Sequence, residues 1–414
     1  MADVAPVAED ARANQLRRWW AVAGLALFAA TWKLWVPQTE FPQVPLFGWA
    51  GVLPPFVDRL AFGVLLGSLA TAAWKPNSRR GWMAFAASLS VLLVLDQHRL
   101  QPWAWQLLLM AIWWSSANEW HVSNVPLVAL TISIYFWSAV SKLDAEFFVS
   151  HGQTLIEALL GAVQINASPW SSRWKWWLAL GLPLGELLVA VGLCWPRTRQ
   201  VALIGATALH VGLILALGPL GLGHRPGVLT WNAEFIGHVW LLFGGRASEA
   251  SPLTRNASEG GSKLDPIERF GVTCARSPSL ALRVGLLAFA CLWPITERWG
   301  LCDRWLAWSV YVARSERVSV TLTDEGLRRL PESARRCVAD GELPLDRWSL
   351  TALDVPIYPQ LRFQFGVVEW LRQRCGEENL VELIVQKGGS GIERLTVEQL
   401  DERRREFWIS TRPR

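Results

Sequence analysis

The 414-residue chain is 51% hydrophobic and only 18% charged, and it carries 27 tryptophans, a composition that excludes an ordinary soluble or disordered protein. Its net charge of +5 sits in short basic clusters beside apolar blocks, without the aromatic-interleaved stripe of a nucleic-acid surface, so a lipid bilayer is the expected partner. Six cysteines with no CxxC and no Cys/His ligand spacing point to no metal site; a disulfide among Cys302, Cys337 and Cys375 is permitted but unforced.

Residues 1–18 are polar and end in a basic cluster, and no small-residue cleavage site follows the first apolar block, which therefore reads as a retained helix and not a signal peptide. Apolar blocks follow at 19–36, 59–74, 82–96, 102–117, 126–141, 174–195, 200–218, 234–245 and 281–296. Several fall short of the roughly 20 residues that cross a bilayer, so eight or nine spans are expected, some tilted or shielded. The segment 155–163 reads as an interfacial amphipathic helix. A Ser/Gly/Ala-rich linker, 246–280, separates the bundle 19–245 from the last span, 281–297.

Residues 298–414 lose the apolar blocks. They show alternation at 317–324, helical periodicity around 360–374, a strand-like run at 380–386 and a charged helix at 396–408, which together predict a small α+β domain. The expected fold class is thus an all-α polytopic membrane helix bundle with a small C-terminal α+β soluble domain. Arg12, Arg17, Arg18, Lys75, Arg79, Arg80, Arg197, Arg199 and Arg246 all fall on one side if there are nine spans. That side and the N-terminus are then cytoplasmic, and loop 37–58, the Asp96–Arg99 turn, the segment after Lys142, the loop before Asn232 and the tail are exoplasmic. If 281–296 only lies on the membrane, the tail is cytoplasmic instead.

"IYFWSAVSKLDAEFF", 134–148, breaks an apolar helix with Lys142 and Asp144. One reading is a cation snorkelling to the headgroups beside a local counter-charge. The other is a buried lysine whose neutral amine removes a proton. Asp96, Gln97, His98 and Arg99 make a dense polar turn on the same expected side, where a carboxylate and an imidazole would set the protonation of the lysine, unless the turn is an ordinary exposed hairpin. Glu186 lies inside a span behind Gly181 and Gly185, whose spacing would let another helix approach, and is either a packing hydrogen bond or an acid lining a cavity. Asn232 reads first as a helix cap. His121, His151, His224 and His238 read as interfacial or hydrogen-bonded histidines, and Tyr358 as a turn anchor.

"YFWSAVSKLDAEFFVSHG" resembles the corresponding stretch of the vitamin K-dependent gamma-carboxylases and the wider HTTM (horizontally transferred transmembrane) domain family. "LDQHRLQPWAWQ", "GLPLGELLVAVGL" and "ALHVGLILALGPLGLGHRPGVLTWN" occupy the places of that family's polar turn, its acid-bearing helix and its histidine followed by an Asn, in matching order over about residues 15 to 245. The resemblance implies a carbon–carbon lyase-class membrane enzyme that uses a reduced, vitamin K-like quinone with O2 and CO2. In it Lys142 is the base that deprotonates the hydroquinone and His98 stabilises the oxyanion. His210 lies near the same cavity, and Asp96, Asp144, Glu186 and Asn232 complete the substrate site. The tail does not match the carboxylases' larger lumenal region, so the substrate is not implied. Two other functions fit the sequence: a quinone-associated redox protein resembling the DoxX type, and a non-enzymatic anchor that presents the tail to a protein or peptide partner. No Rossmann fingerprint or P-loop is present, which disfavours a nucleotide-driven mechanism.

Overall fold

The computed structural model describes residues 4–116, 120–245, 278–388 and 391–414. The first part is a helix bundle: α1 Val4–Ala30, α2 Trp32–Trp35, α3 Phe56–Trp74, α4 Arg79–Leu95, α5 Pro102–Ser116, α6 Trp120–Ser141, α7 Ala145–Val149, α8 His151–Ala162, α9 Ser172–Cys194, α10 Arg199–Leu217, α11 Pro226–Phe243 and α12 Pro278–Leu292. Among the described residues four helical stretches are long and apolar enough to cross a membrane: Phe56–Trp74, Asn124–Ser141, Ser172–Cys194 and Arg199–Leu217. A multi-helix membrane bundle follows from these four; the count of eight or nine spans remains an expectation. The linker expected at 246–280 lies almost wholly outside the described residues.

Local chemistry places the helix ends. Ser78 caps α4 by accepting from Gly81 N–H, and Asp144 caps α7 by accepting from Glu146 N–H at 2.8 Å. At one end of the bundle, basic side chains meet the orphan carbonyls at helix C-termini, where the helix dipole favours a cation. Arg12 donates to Leu241 O, Arg18 to Ala73 O and Arg79 to Ser115 O.

The tail is a four-stranded antiparallel sheet of β1 Arg317–Leu322, β2 Glu342–Pro344, β3 Leu380–Lys387 and β4 Gly391–Leu395, in the order β2-β1-β3-β4. Alternation in β1 buries Val318, Val320 and Leu322, and the register sets Val320 opposite Leu343 and Val318 opposite Val385. Helix Leu361–Cys375 packs on this face, where its buried Gln364 accepts from Val318 N–H at 2.9 Å and donates to Glu316 O. Cys302, Cys337 and Cys375 are free thiols.

The tail sits on the other end of the bundle and touches all four connections assigned to one side. Lys33, just before loop 37–58, pairs with Asp354 at 2.6 Å, and Glu40 accepts from Ser333 N–H at 3.0 Å. Gln97 donates to Ser410 O at 2.7 Å and accepts from Arg362 at 2.9 Å. Asp144 pairs with Arg314 at 2.7 Å, and Arg225 with Asp354 at 3.2 Å. The shared side is therefore a physical end of the molecule, roofed by the tail.

Candidate functional site

The site begins on one face of α6. Tyr135, Ser138 and Lys142 are spaced i, i+3, i+7, which stacks them over two helical turns. All three line a cavity of about 150 Å³ whose apolar walls include Leu155 and Leu159 from α8, Leu182 from α9, Leu213 from α10, and Trp231 and Phe235 from α11. The segment expected to lie at the interface thus forms a wall of the cavity.

Lys142 does not snorkel. It is 3% exposed, and its Nζ donates to Ser138 Oγ at 2.6 Å and meets both Glu186 oxygens, at 3.0 and 2.9 Å. Both groups are buried, and the attraction within the pair offsets the desolvation of each. The acid of α9 therefore serves the lysine. Gly181 and Gly185 have a different role from the one their spacing suggests, because a Cβ added at either would meet nothing within 4 Å. They are not points of close helix approach.

Beside the ion pair runs a hydrogen-bonded relay. Asn232 Nδ2 donates to Val228 O at 2.9 Å, which turns its Oδ1 toward His210 Nδ1, also 2.9 Å away. His210 must then carry its proton on Nδ1 and accept from the Tyr135 hydroxyl through Nε2, at 2.8 Å. Asn232 is thus a side-chain acceptor inside the first turns of α11 and not its cap; Arg225 precedes that helix. His238 lies in a separate packing network. It accepts from Trp20 Nε1 at 2.8 Å, which leaves its Nε2–H to donate to Thr131 Oγ at 2.8 Å.

Asp96 and His98 are not in the cavity. Both are buried in the turn between α4 and α5, where Asp96 accepts from His98 N–H and Val44 N–H at 3.1 and 3.3 Å. His98 Nε2 donates to Pro356 O at 2.9 Å, and its ring lies 4.9 Å from that of Phe363. The turn that sequence placed beside the lysine is a docking platform for the tail. Asp144 likewise does not line this cavity; it caps α7 and holds Arg314. Tyr358 anchors the same junction by donating to Asp303 at 2.5 Å. The side chain of His121 lies outside the described residues, His224 is exposed, and His151 Nε2 lies 3.5 Å from Arg317.

Four residues that sequence reasoning missed complete the site: Tyr135, Ser138, Trp308 and Tyr311. The first two carried a signal, the helical spacing to Lys142. Trp308 and Tyr311 arrive from the tail and had none. Both hold left-handed backbone conformations, φ 62° and 61°, which cost a bulky residue on the order of 1–3 kcal/mol each and persist where packing over-determines them. Burial, and then the Glu186 charge, push the Tyr311 phenol above its ordinary value.

An apolar cavity with one ion pair, a histidine-oriented phenol and several aromatic walls suits a flat, lipid-soluble ring that carries a hydroxyl. A dry cavity of on the order of 150 Å³ accepts a benzene-sized ring. Among the described residues no group of His, Cys, Asp and Glu is arranged to hold a metal ion. No protein-family model matches the sequence, and no curated protein or solved structure is similar enough to lend it a fold or a function.

Proposed function

We propose that this membrane protein binds the ring of a lipid-soluble hydroquinone in the α6–α11 cavity and that the Lys142–Glu186 pair removes its hydroxyl proton. The observation that carries the reading is a buried, bidentate ion pair opening on a mostly apolar cavity. With the pair ionised, the proton acceptor is the Glu186 carboxylate. The ring O–H bond breaks, its proton passes to Glu186, and the oxyanion left behind is held by the Lys142 ammonium. The lysine then acts as oxyanion holder within a two-residue base and not as a free neutral amine. Tyr135, whose hydroxyl proton is committed to His210, offers its oxygen lone pairs to the cavity and orients the ring.

The carboxylase-like continuation, in which the oxyanion reacts with O2 and drives CO2 fixation, is the finer proposal that the resemblance to the vitamin K-dependent carboxylases and the HTTM family adds. The pure anchor reading is disfavoured, because the tail supplies Trp308, Val310 and Tyr311 to the cavity wall.

Removing one partner of a buried pair leaves an uncompensated charge and costs about 3–5 kcal/mol, whereas replacing both with apolar groups is close to neutral. Lys142→Met and Glu186→Leu are therefore each expected to lower thermal stability. The double variant should recover it while showing no oxygen-dependent oxidation of a reduced benzoquinone. Full turnover in the folded double variant would refute the assignment.

A further inference from the structure

The tail contributes one wall of the cavity through residues 302–316, the loop that precedes β1. Trp308, Val310 and Tyr311 line the cavity from this loop, and Trp308 is 1% exposed. The loop is held at both ends. Ser309 N–H donates to Arg304 O at 2.8 Å, and Arg314 pairs with Asp144 at 2.7 Å, two residues beyond Lys142. Val312 and Ala313 are buried between these points. Packing of this quality fixes two bulky aromatics in left-handed conformations they rarely adopt.

Both aromatics bring a donor that the protein does not use. The indole N–H of Trp308 is buried with no acceptor, and the Tyr311 hydroxyl makes no hydrogen bond among the described residues. Of the two, the Trp308 N–H is the buried one, and a buried donor without a partner is costly unless something else completes it. The bundle walls, by contrast, pair their polar groups with one another at rest, Lys142 with Glu186 and Ser138 and His210 with Asn232 and Tyr135, and proton transfer to Glu186 is what frees the Lys142 ammonium for a ring oxygen.

We infer that loop 302–316 is the selective wall of the cavity, with Trp308 and Tyr311 donating to a second oxygen on the bound ring. The inference rests on the ring-binding reading above and narrows it. A ring with oxygen at two positions, a dione or its diol, satisfies both the ion pair and the loop; a simple phenol or a hydrocarbon satisfies only one or neither. The tail is then a specificity element fused to a membrane site, and its docking on the polar turn holds the two donors in place.

The test compares two probes that differ only in their two ring oxygens and match the benzene-sized cavity, 2,3-dimethyl-1,4-benzoquinone and o-xylene, on the full-length protein in detergent by titration calorimetry. Trp308→Phe keeps the ring and deletes the N–H. It should weaken the dione about tenfold, the worth of one buried hydrogen bond, and leave the hydrocarbon within about twofold. Tyr311→Phe should show the same differential and replaces Trp308→Phe if that variant does not fold. Equal effects on both probes, or none on either, overturn the selectivity of the loop while leaving the cavity as a ring site. If neither probe binds the wild-type protein, the ring-binding reading fails and this inference fails with it.

Discussion

Asp96 and His98 stand two residues apart in one buried turn and answer to pH in opposite senses. Burial pushes the Asp96 carboxyl up to about 6, against the pull of Arg99 and of two backbone N–H groups. Burial also pushes the His98 imidazole down to about 4. An imidazole that is harder to protonate in the fold stabilises it above about pH 6.5, and that stability is lost as pH falls toward 4. A carboxyl that is easier to protonate in the fold stabilises it below about pH 4, and that stability is lost as pH rises through 6. The two contributions oppose each other, so together they add little slope to the wild-type Tm between about pH 4 and 6.5. Asp96→Asn leaves only the imidazole and should make Tm fall on acidification; His98→Gln leaves only the carboxyl and should make Tm rise. Slopes that both move in the same direction from that of the wild type in thermal unfolding would contradict the paired assignment. The sequence showed that these residues form a dense polar turn. It did not show what covers them, because the partners, Pro356 and Phe363, lie in a part of the chain whose packing no local pattern encodes.

Helices and strands were more legible than their contacts. Period-2 alternation marked β1, and period-3.6 spacing marked helix Leu361–Cys375, because each buries one face on the other. The short strands β2 and β4 had too few residues to show a period, and the pattern of α8 did not show that it packs against α9 and α10. Glycines show the same limit. Gly181 and Gly185 have a packing motif's spacing and no close neighbour, whereas Gly366, in no motif, has Val44 Cγ1 2.7 Å and Thr411 O 3.2 Å from where a Cβ would stand. Gly366→Ala should therefore cost about 1–3 kcal/mol by forcing the tail helix off loop 37–58. Gly185→Ala should be neutral or stabilise by up to about 1 kcal/mol, since alanine is the better helix former. Thermal unfolding of the two variants reads this directly, and equal effects would mean that helix Leu361–Cys375 does not seat on the loop at this glycine.

The whole molecule is two-ended. Basic side chains close helix C-termini at one end, and the tail covers the polar connections at the other, next to the ion pair. This arrangement brings residues of the helix bundle and of the tail together in one cavity. Lys142 and Glu186 could be named from sequence as ionisable groups in apolar helices; that they pair required the fold, since 44 positions separate them. The central claim is that this pair faces a bound, oxygenated, lipid-soluble ring. The most direct measurement is mass spectrometry of the lipids that copurify with the wild-type protein and with the Lys142→Met/Glu186→Leu double variant. A quinone or hydroquinone enriched on the wild type and depleted on the folded double variant is the expected result. Phospholipid alone on both, or a quinone retained equally by both, would contradict the account.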